Sequence, residues 1–482
     1  MPASSARAVA AEVLTRVERD GAYASLALEA ALAGSPGMEP RDLALTSELV
    51  QGTLRRQLAL DAALERAAER SVTRLEIGVR TLLRLGAYQL IYLERVPARA
   101  AVHETVELCK ERGLGRAAGL ANAILRRLAR EPIVPLPEDP IQRLSIEESH
   151  PVWLVKRWVE RLGFDEAAAL CRANNLPAPL VLRANSRRGT REALLEELRA
   201  ARPDAAIEPG RFSPVAVAVL GAGPPSRLPG YAQGMFQVQD EAAQLVGLLV
   251  APAAGSATLD ACAAPGGKSC HLAELGAEVL AMDVAPRKLL RLQSEAGRLG
   301  LSIACVAADA TEPLPVPDGS QANVLVDAPC SGLGTLRRHP ELRYRRQPED
   351  IARLAELQAR ILRQAARAVA PGGVLVYAVC SSEIEEGVAQ RERLLSELPD
   401  FHPDPAVAVA PASSVAPASS VAPAPVPESV APASWRDSMR GEAAPLWGPT
   451  GGLESFDSAG VFQSWPHRHG MDGFSSFRLR RG

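Results

Sequence analysis

Residues 258–275 read TLDACAAPGGKSCHLAEL: a short apolar run closed by an acid, a turn carrying Gly266 and Gly267, then a helical pattern. A strand that passes through glycines into a helix lets the backbone approach a ligand closely and presents the unpaired N–H groups of the helix start. Around it, the runs ATLDA (257–261), AEVLAMDV (277–284), SIACVAAD (302–309), ANVLVDA (322–328) and GVLVYAV (373–379) alternate with amphipathic helical patterns. Such alternation predicts an α/β domain whose parallel sheet is covered on both faces. Asp283 closes the second run, seventeen positions beyond Gly266, where an acid can accept hydrogen bonds from ribose hydroxyls; Asp309 and Asp327 close the next two. Any one of these acids alone could simply cap a strand end. The phosphate-loop pattern fails, because Cys262 stands where a glycine is required, and AAPGGK does not match G-x-G-x-x-G.

With 482 residues, two or three domains are expected. A 47% hydrophobic and 23% charged composition reads as soluble and globular, with no run long enough to span a membrane and no secretory signal, so the cytoplasm is the expected location. Net charge is only -2 and does not announce a nucleic-acid binder. The positive charge is nearly all arginine, with lysine only at 110, 156, 268 and 288, and arginine suits phosphate through its planar fork of donors. Seven cysteines without a C-x-x-C pair or metal-ligand spacing argue against a disulfide framework and against a metal site.

Residues 1–131 read as a helical bundle. In EIGVRTLLRLGAYQLIYL (76–93), Val79, Leu82, Leu83, Gly86, Ala87, Leu90 and Ile91 keep the i, i+3, i+4 rhythm of a core-facing helix. Four prolines in EPIVPLPEDP (131–140) predict a linker over 132–144, since proline removes backbone donors. Residues 145–235 mix helix with strand-like PLVLRAN and GMFQVQD and predict a small α+β subdomain, leaving 236–482 for the sheet domain. Within that domain, 405–434 repeats PASSVA and is expected to be a disordered or polyproline-like insertion, and HRHGMDGFSSFRLRR predicts one more strand returning to the sheet.

Two cysteines follow expected strand ends: Cys330 in DAPCSG and Cys380 in YAVCSS. Either could serve as a nucleophile, and either could be a small buried hydrophobe, the common fate of a free cysteine.

The strings CAAPGGK, VDAPCSGLGTLRRHPE, GGVLVYAVCS and FQVQDEAAQLV closely resemble the RNA cytosine methyltransferases of the Nop/Sun family. ELVQGTLRR, LRLGAYQLIYLERVPARAAVHETVEL and NAILRRL extend the likeness to the family's small-subunit ribosomal RNA branch, whose N-terminal domain is similar to the RNA-binding protein NusB. The resemblance implies a seven-stranded class I, Rossmann-like methyltransferase sheet behind an all-α bundle. It also implies S-adenosylmethionine as cofactor, no metal, and a 16S ribosomal RNA substrate. It puts the cofactor on Cys262, Ala263, Ala264, Pro265, Gly266, Gly267 and Lys268, with Asp283, Asp309 and Asp327. It further implies Cys380 as the nucleophile that adds to carbon 6 of cytosine, Cys330 as the residue assisting release, and Asp327 at the ring. One departure is Val379, where the family usually has threonine.

A target cytosine must leave its stack, so cations should flank the pocket. RRHPELRYRR offers Arg337, Arg338, Arg343, Arg345 and Arg346, with Tyr344 as a stacking surface, and His339 is a further RNA-facing candidate. The bundle adds Arg55, Arg56, Arg126 and Arg127. A monomer is expected. The rival readings are a cytosine methyltransferase for DNA, transfer RNA or another ribosomal RNA, and an assembly factor that binds RNA without chemistry.

Overall fold

The computed structural model describes residues 6–35, 37–221, 223–404 and 461–482. The expected PASSVA insertion at 405–434 lies outside the described residues. The chain divides into two compact units, the first holding the described residues up to Pro177 plus Leu336–Arg346, the second the remainder.

The first unit is helical: α1 (Ala6–Asp20), α2 (Ala24–Ala33), α3 (Pro40–Arg55), α4 (Gln57–Ala68), α5 (Ile77–Tyr92), α6 (Ala98–Glu111), α7 (Ala118–Arg130), α8 (Pro140–Glu147), α9 (Val152–Leu162) and α10 (Phe164–Asn175). The rhythm read in α5 is its packing face: Val79, Leu82, Leu83, Gly86 and Ala87 are buried, with Leu90 and Ile91 packed partly buried on the same core. Gly86 lets neighbouring helices close in, since a Cβ there would sit 2.8 Å from Leu125 Cδ1 on α7 and 2.9 Å from Thr105 Oγ1 on α6. On the same helix Arg84 is buried, and its guanidinium donates 2.7 Å bonds to both oxygens of Asp61 on α4 and a 3.1 Å bond to Glu18 on α1. Helix resumes inside the stretch read as linker, because Pro140 occupies the first turn of α8 and Asp139 caps it by accepting from Gln142 N at 2.8 Å.

Leu336–Arg346, the run read as RNA-facing, is packed within the helical unit. Arg343 is buried, donating to Ser149 O (3.2 Å), Asn175 Oδ1 (2.8 Å) and Asn174 O (3.3 Å), while the Tyr344 hydroxyl donates to Leu54 O and Ser149 O, each at 3.0 Å. Arg345 donates to Gly21 O, Val17 O and Ala22 O at 2.6–2.9 Å, and the buried Arg337 to Pro177 O at 3.1 Å. These four side chains bind carbonyls of the helical unit and are not free for a phosphate or a base; Arg338 and Arg346 are half-buried. His339 is half-buried too, edge-on to Tyr23 at 5.7 Å, and burial lowers its pKa.

The second unit holds two sheets. β1 (Leu180–Ala184), β2 (Ala206–Pro209), β3 (Ala216–Leu220) and β4 (Phe236–Val238) form an antiparallel sheet in the order β2-β3-β1-β4, with α11 (Arg191–Ala201) packed on it. The larger sheet is built from β5 (Ala257–Asp260), β6 (Glu278–Asp283), β7 (Ala304–Ala307), β8 (Gln321–Asp327), β9 (Val369–Val379), β10 (Phe401–Pro403), β11 (Val461–Ser464) and β12 (Phe474–Arg481). Its order is β7-β6-β5-β8-β9-β12-β10, the seven-stranded path expected, with β11 as an eighth strand on β12. β5 to β9 pair in parallel; β12 runs antiparallel beside β9. Connecting helices α12 (Glu241–Val250), α13 (Gly267–Glu274), α14 (Pro286–Leu299), α15 (Pro348–Ala368) and α16 (Val388–Glu397) complete the layers. The expected last strand begins only at Phe474, since Pro466–His469 is a helical turn. Among the described residues no helix is long and apolar enough to cross a membrane.

Arg343→Ala leaves buried carbonyl acceptors without their donor and should cost about 3 kcal/mol, read as a lower urea midpoint. The salt dependence of RNA affinity should not change; a slope lowered by about one would return Arg343 to the phosphate-binding set.

Candidate active site

Because β5, β6, β8 and β9 run in parallel, their carboxyl ends meet at one edge: Asp260 ends β5, Asp283 ends β6, Asp327 ends β8, and Cys380 follows β9. Asp309 stands two residues past β7. The turn after β5 is fixed by Ala263 N donating to Met282 O (2.8 Å) and Ala264 N to Asp283 Oδ2 (3.1 Å). Gly266 is required here for two reasons: its φ is +109°, and a Cβ would lie 2.6 Å from Leu292 Cγ of α14. Its smallness therefore serves helix packing as well as the turn. Asp283 Oδ1 also accepts from Ala285 N at 2.8 Å, and a carboxyl group so engaged retains lone pairs for a ligand. Exposed Asp309 accepts from Thr311 N and Oγ1, both at 2.8 Å, and these bonds hold its pKa low. Sequence reading missed Val284, an apolar side chain left 69% exposed directly after Asp283.

Lys268, grouped with the cofactor turn by the sequence, sends its ammonium to Asp327 Oδ2 at 2.7 Å and lies 5.1 Å from the Phe474 ring centroid. Burial opposes the Lys268 charge, but Asp327 outweighs it and the pKa is raised. Behind this pair, buried Asp260 accepts from Ser269 Oγ at 2.6 Å while its Oδ1 has no hydrogen-bond partner, and burial pushes its carboxyl up to about 7.

The two candidate cysteines meet: Cys330 Sγ lies 3.3 Å from Cys380 Sγ, although fifty residues separate them. The Cys330 thiol is pushed well up by its bond to Cys380, by burial and by the nearby charge of Glu386. Burial and the surrounding carboxylates push Cys262 well up too. Burial alone raises Cys109 and Cys305, and it heads the causes that take Cys171 and Cys270 to about 12.

Three further features of this site were not read from sequence. Buried Glu386 accepts from Ser331 N (2.8 Å), Ser331 Oγ (2.5 Å) and Gln358 Nε2 (3.1 Å). SSEIEEG offers three glutamates, and local pattern does not distinguish Glu386 from Glu383 or Glu385. Gly334 and Gly473 touch so closely that a Cβ on Gly334 would fall 1.8 Å from Gly473 O, and Gly334 N donates to Cys380 O at 3.1 Å. Arg183 of β1 is fully buried, donating to both Glu274 oxygens (3.0 and 2.6 Å), Gly267 O (2.8 Å), Gln237 Oε1 (2.9 Å) and Gln239 Oε1. It ties both ends of α13, the helix that opens at the glycine turn.

A sheet of this order, with its glycine turn and acidic tips on one edge and a paired-cysteine centre beside them, forms a ligand crevice at the carboxyl ends of its strands, and the chain's relatives place it among the methyltransferases. Residues 247–480 match the family model described as 16S rRNA methyltransferase RsmB/F, residues 150–224 an RsmF/B-like ferredoxin-like domain, and residues 4–130 the NusB family. A Bacillus subtilis relative named probable ribosomal RNA small subunit methyltransferase B is 38% identical over 411 residues, 84% of this chain and 91% of the relative. Ribosomal RNA small subunit methyltransferase B of Pseudomonas syringae pv. tomato is 39% identical over 352 residues, 72% of this chain and 77% of its own length. The crystal structure of PH0851 superposes with a TM-score of 0.80 at 22% identity, covering 100% of this chain and 99% of that one. The chain belongs to the RsmB/F family of methyltransferases.

Asp260 supplies a pH test. Its folded pKa of about 7 exceeds the unfolded value of 3.8, so the folded state holds the extra proton between them and stability falls as pH rises through that window. Asp260→Asn should flatten this slope and gain up to roughly 4 kcal/mol at pH 8 relative to the parent. Thermal melts from pH 4 to 8 check it; parallel curves for the two proteins would contradict the burial argument.

Proposed function

We propose that this chain transfers a methyl group from S-adenosylmethionine to carbon 5 of a cytosine in 16S ribosomal RNA, through a transient bond between Cys380 and carbon 6. The observation that carries the reading is the 3.3 Å pairing of Cys380 with Cys330 at the edge that also holds the Lys268–Asp327 pair. The ribosomal substrate is supported by the names of the relatives.

The residues at the edge fit the cofactor. The backbone of Cys262–Lys268 lies at a helix start, Asp283 can accept from ribose hydroxyls, exposed Val284 can cover an adenine face, and Asp309 is accessible beside it. When bound, the cofactor supplies an electrophilic methyl group on a sulfonium.

In this reading the Cys380 thiolate adds to carbon 6, and the electrons of the C5–C6 double bond move toward carbon 5, which would take the methyl group as its bond to the donor sulfur breaks and that electron pair stays on the sulfur. Asp327 accepts from the exocyclic amine, and the Lys268 ammonium beside it faces the negative charge spreading over the ring. A base then removes the carbon 5 proton, the double bond re-forms, and the S–C6 bond breaks with its electron pair returning to Cys380. Cys330, kept protonated by its surroundings, donates to the departing sulfur. Val379 has no hydroxyl to add a hydrogen bond before Cys380. On the helical unit, Arg126, Arg127 and Arg130 of α7 are exposed and offer phosphate contacts.

With labelled methyl donor, label should enter 16S ribosomal RNA and not transfer RNA or DNA, and mass mapping should find 5-methylcytosine. Cys380→Ala should lose at least a thousandfold in turnover, while Cys330→Ala should accumulate a protein–RNA adduct stable on a denaturing gel. Full turnover in Cys380→Ala would overturn the covalent role.

A further inference from the structure

We propose that Glu386 is a positioning residue for methyl transfer, holding the Cys330 loop against Cys380 through Ser331; this rests on the covalent reading above. The β8–β9 ladder ends at the pair Asp327 and Ala378, with Ala328 N donating to Ala378 O at 2.9 Å just beyond. Past that point the two loops bearing the sulfurs leave the sheet, joined by the backbone bond from Gly334 N to Cys380 O, and side chains add the remaining restraints on their separation. Glu386 does so from the turn Ile384–Glu386. One oxygen accepts from Ser331 N and the other from Ser331 Oγ, which lies 3.2 Å from Ser381 Oγ. Ser331 and Ser381 directly follow the two cysteines. Gln358 of α15 donates to Glu386 Oε1 (3.1 Å) and to Pro329 O (3.0 Å), so the residue before Cys330 is held by the same group. The glutamate itself is fixed, since Tyr377 OH donates to its carbonyl at 2.7 Å.

The chemistry of the group points the same way. Glu386 is fully buried, and the three donors named here are all neutral. A buried carboxylate with only neutral donors is a costly way to bind a backbone N–H and a hydroxyl, which a glutamine could also bind. What the carboxylate adds is two acceptor oxygens aimed at both donors of Ser331, together with negative charge that adds to the Cys380 hydrogen bond and to burial in raising the Cys330 thiol.

The test compares Glu386→Ala, Glu386→Gln and Ser331→Ala in the full chain, measuring turnover on RNA, gel-stable adduct and equilibrium cofactor affinity. Glu386→Ala should lose at least tenfold in turnover and trap adduct as Cys330→Ala does, with cofactor affinity within about twofold of the parent. Glu386→Gln keeps an acceptor toward Ser331 N and should recover turnover to within a few-fold while the basic limb of its pH–rate profile moves to lower pH. Ser331→Ala, which retains the glutamate, should trap adduct too, and serves if Glu386→Ala does not fold. Turnover within twofold of the parent in Glu386→Ala, or a loss of turnover in both alanine variants without adduct, would sink the proposal. Absence of adduct in Cys330→Ala would instead count against the covalent reading itself.

Discussion

Parallel pairing of β5, β6, β8 and β9 is the constraint on which the site depends. Parallel strands all end on the same side, so residues far apart in sequence arrive at one edge as a consequence of hydrogen-bond direction. The acid tips at 260, 283 and 327 and the cysteine at 380 owe their proximity to that alone. The reversed β12 closes the arrangement, because its N-terminal end brings Gly473 against Gly334 and the Phe474 ring to Lys268.

Buried charge recurs around this edge in a consistent manner. Arg183 with Glu274 and Glu386 on Ser331 each place a charged-type group out of water among several directed bonds, while buried Lys268 has one, to Asp327. Such groups contribute little net stability compared with apolar packing of the same volume. Their use is geometric, for a group held by three or more fixed partners, as Arg183 and Glu386 are, has few alternative positions, and all of them sit beside the glycine turn or the sulfurs. Asp260 is the contrast, a buried acid that accepts from Ser269 and, among the described residues, faces no cation directly, and burial raises its pKa.

The helical unit shows how the same residue type serves a different end. Arg343 and Arg345 take up backbone carbonyls, some of them at helix ends, where such groups otherwise lack partners, and Arg84 bridges three helices through two acids. A planar guanidinium with five donors is suited to this work as well as to phosphate. Composition therefore could not separate arginines that knit the chain from arginines that meet a ligand.

The sequence by itself determined the element types and the chemistry along the edge. Short apolar runs marked the strands, the glycine turn marked the ligand end, and the α5 rhythm from Val79 to Ile91 marked a core face, because these patterns are local consequences of backbone geometry. Only the tertiary structure decided which side chains meet. It showed Cys330 against Cys380, Lys268 turned to Asp327, Glu386 chosen from three glutamates, and the basic run at 337–346 drawn into the helical unit. Those outcomes depend on burial and on contacts between residues dozens to hundreds of positions apart, and hydrogen bonding over such separations leaves no periodicity in the chain for a reader of sequence to find.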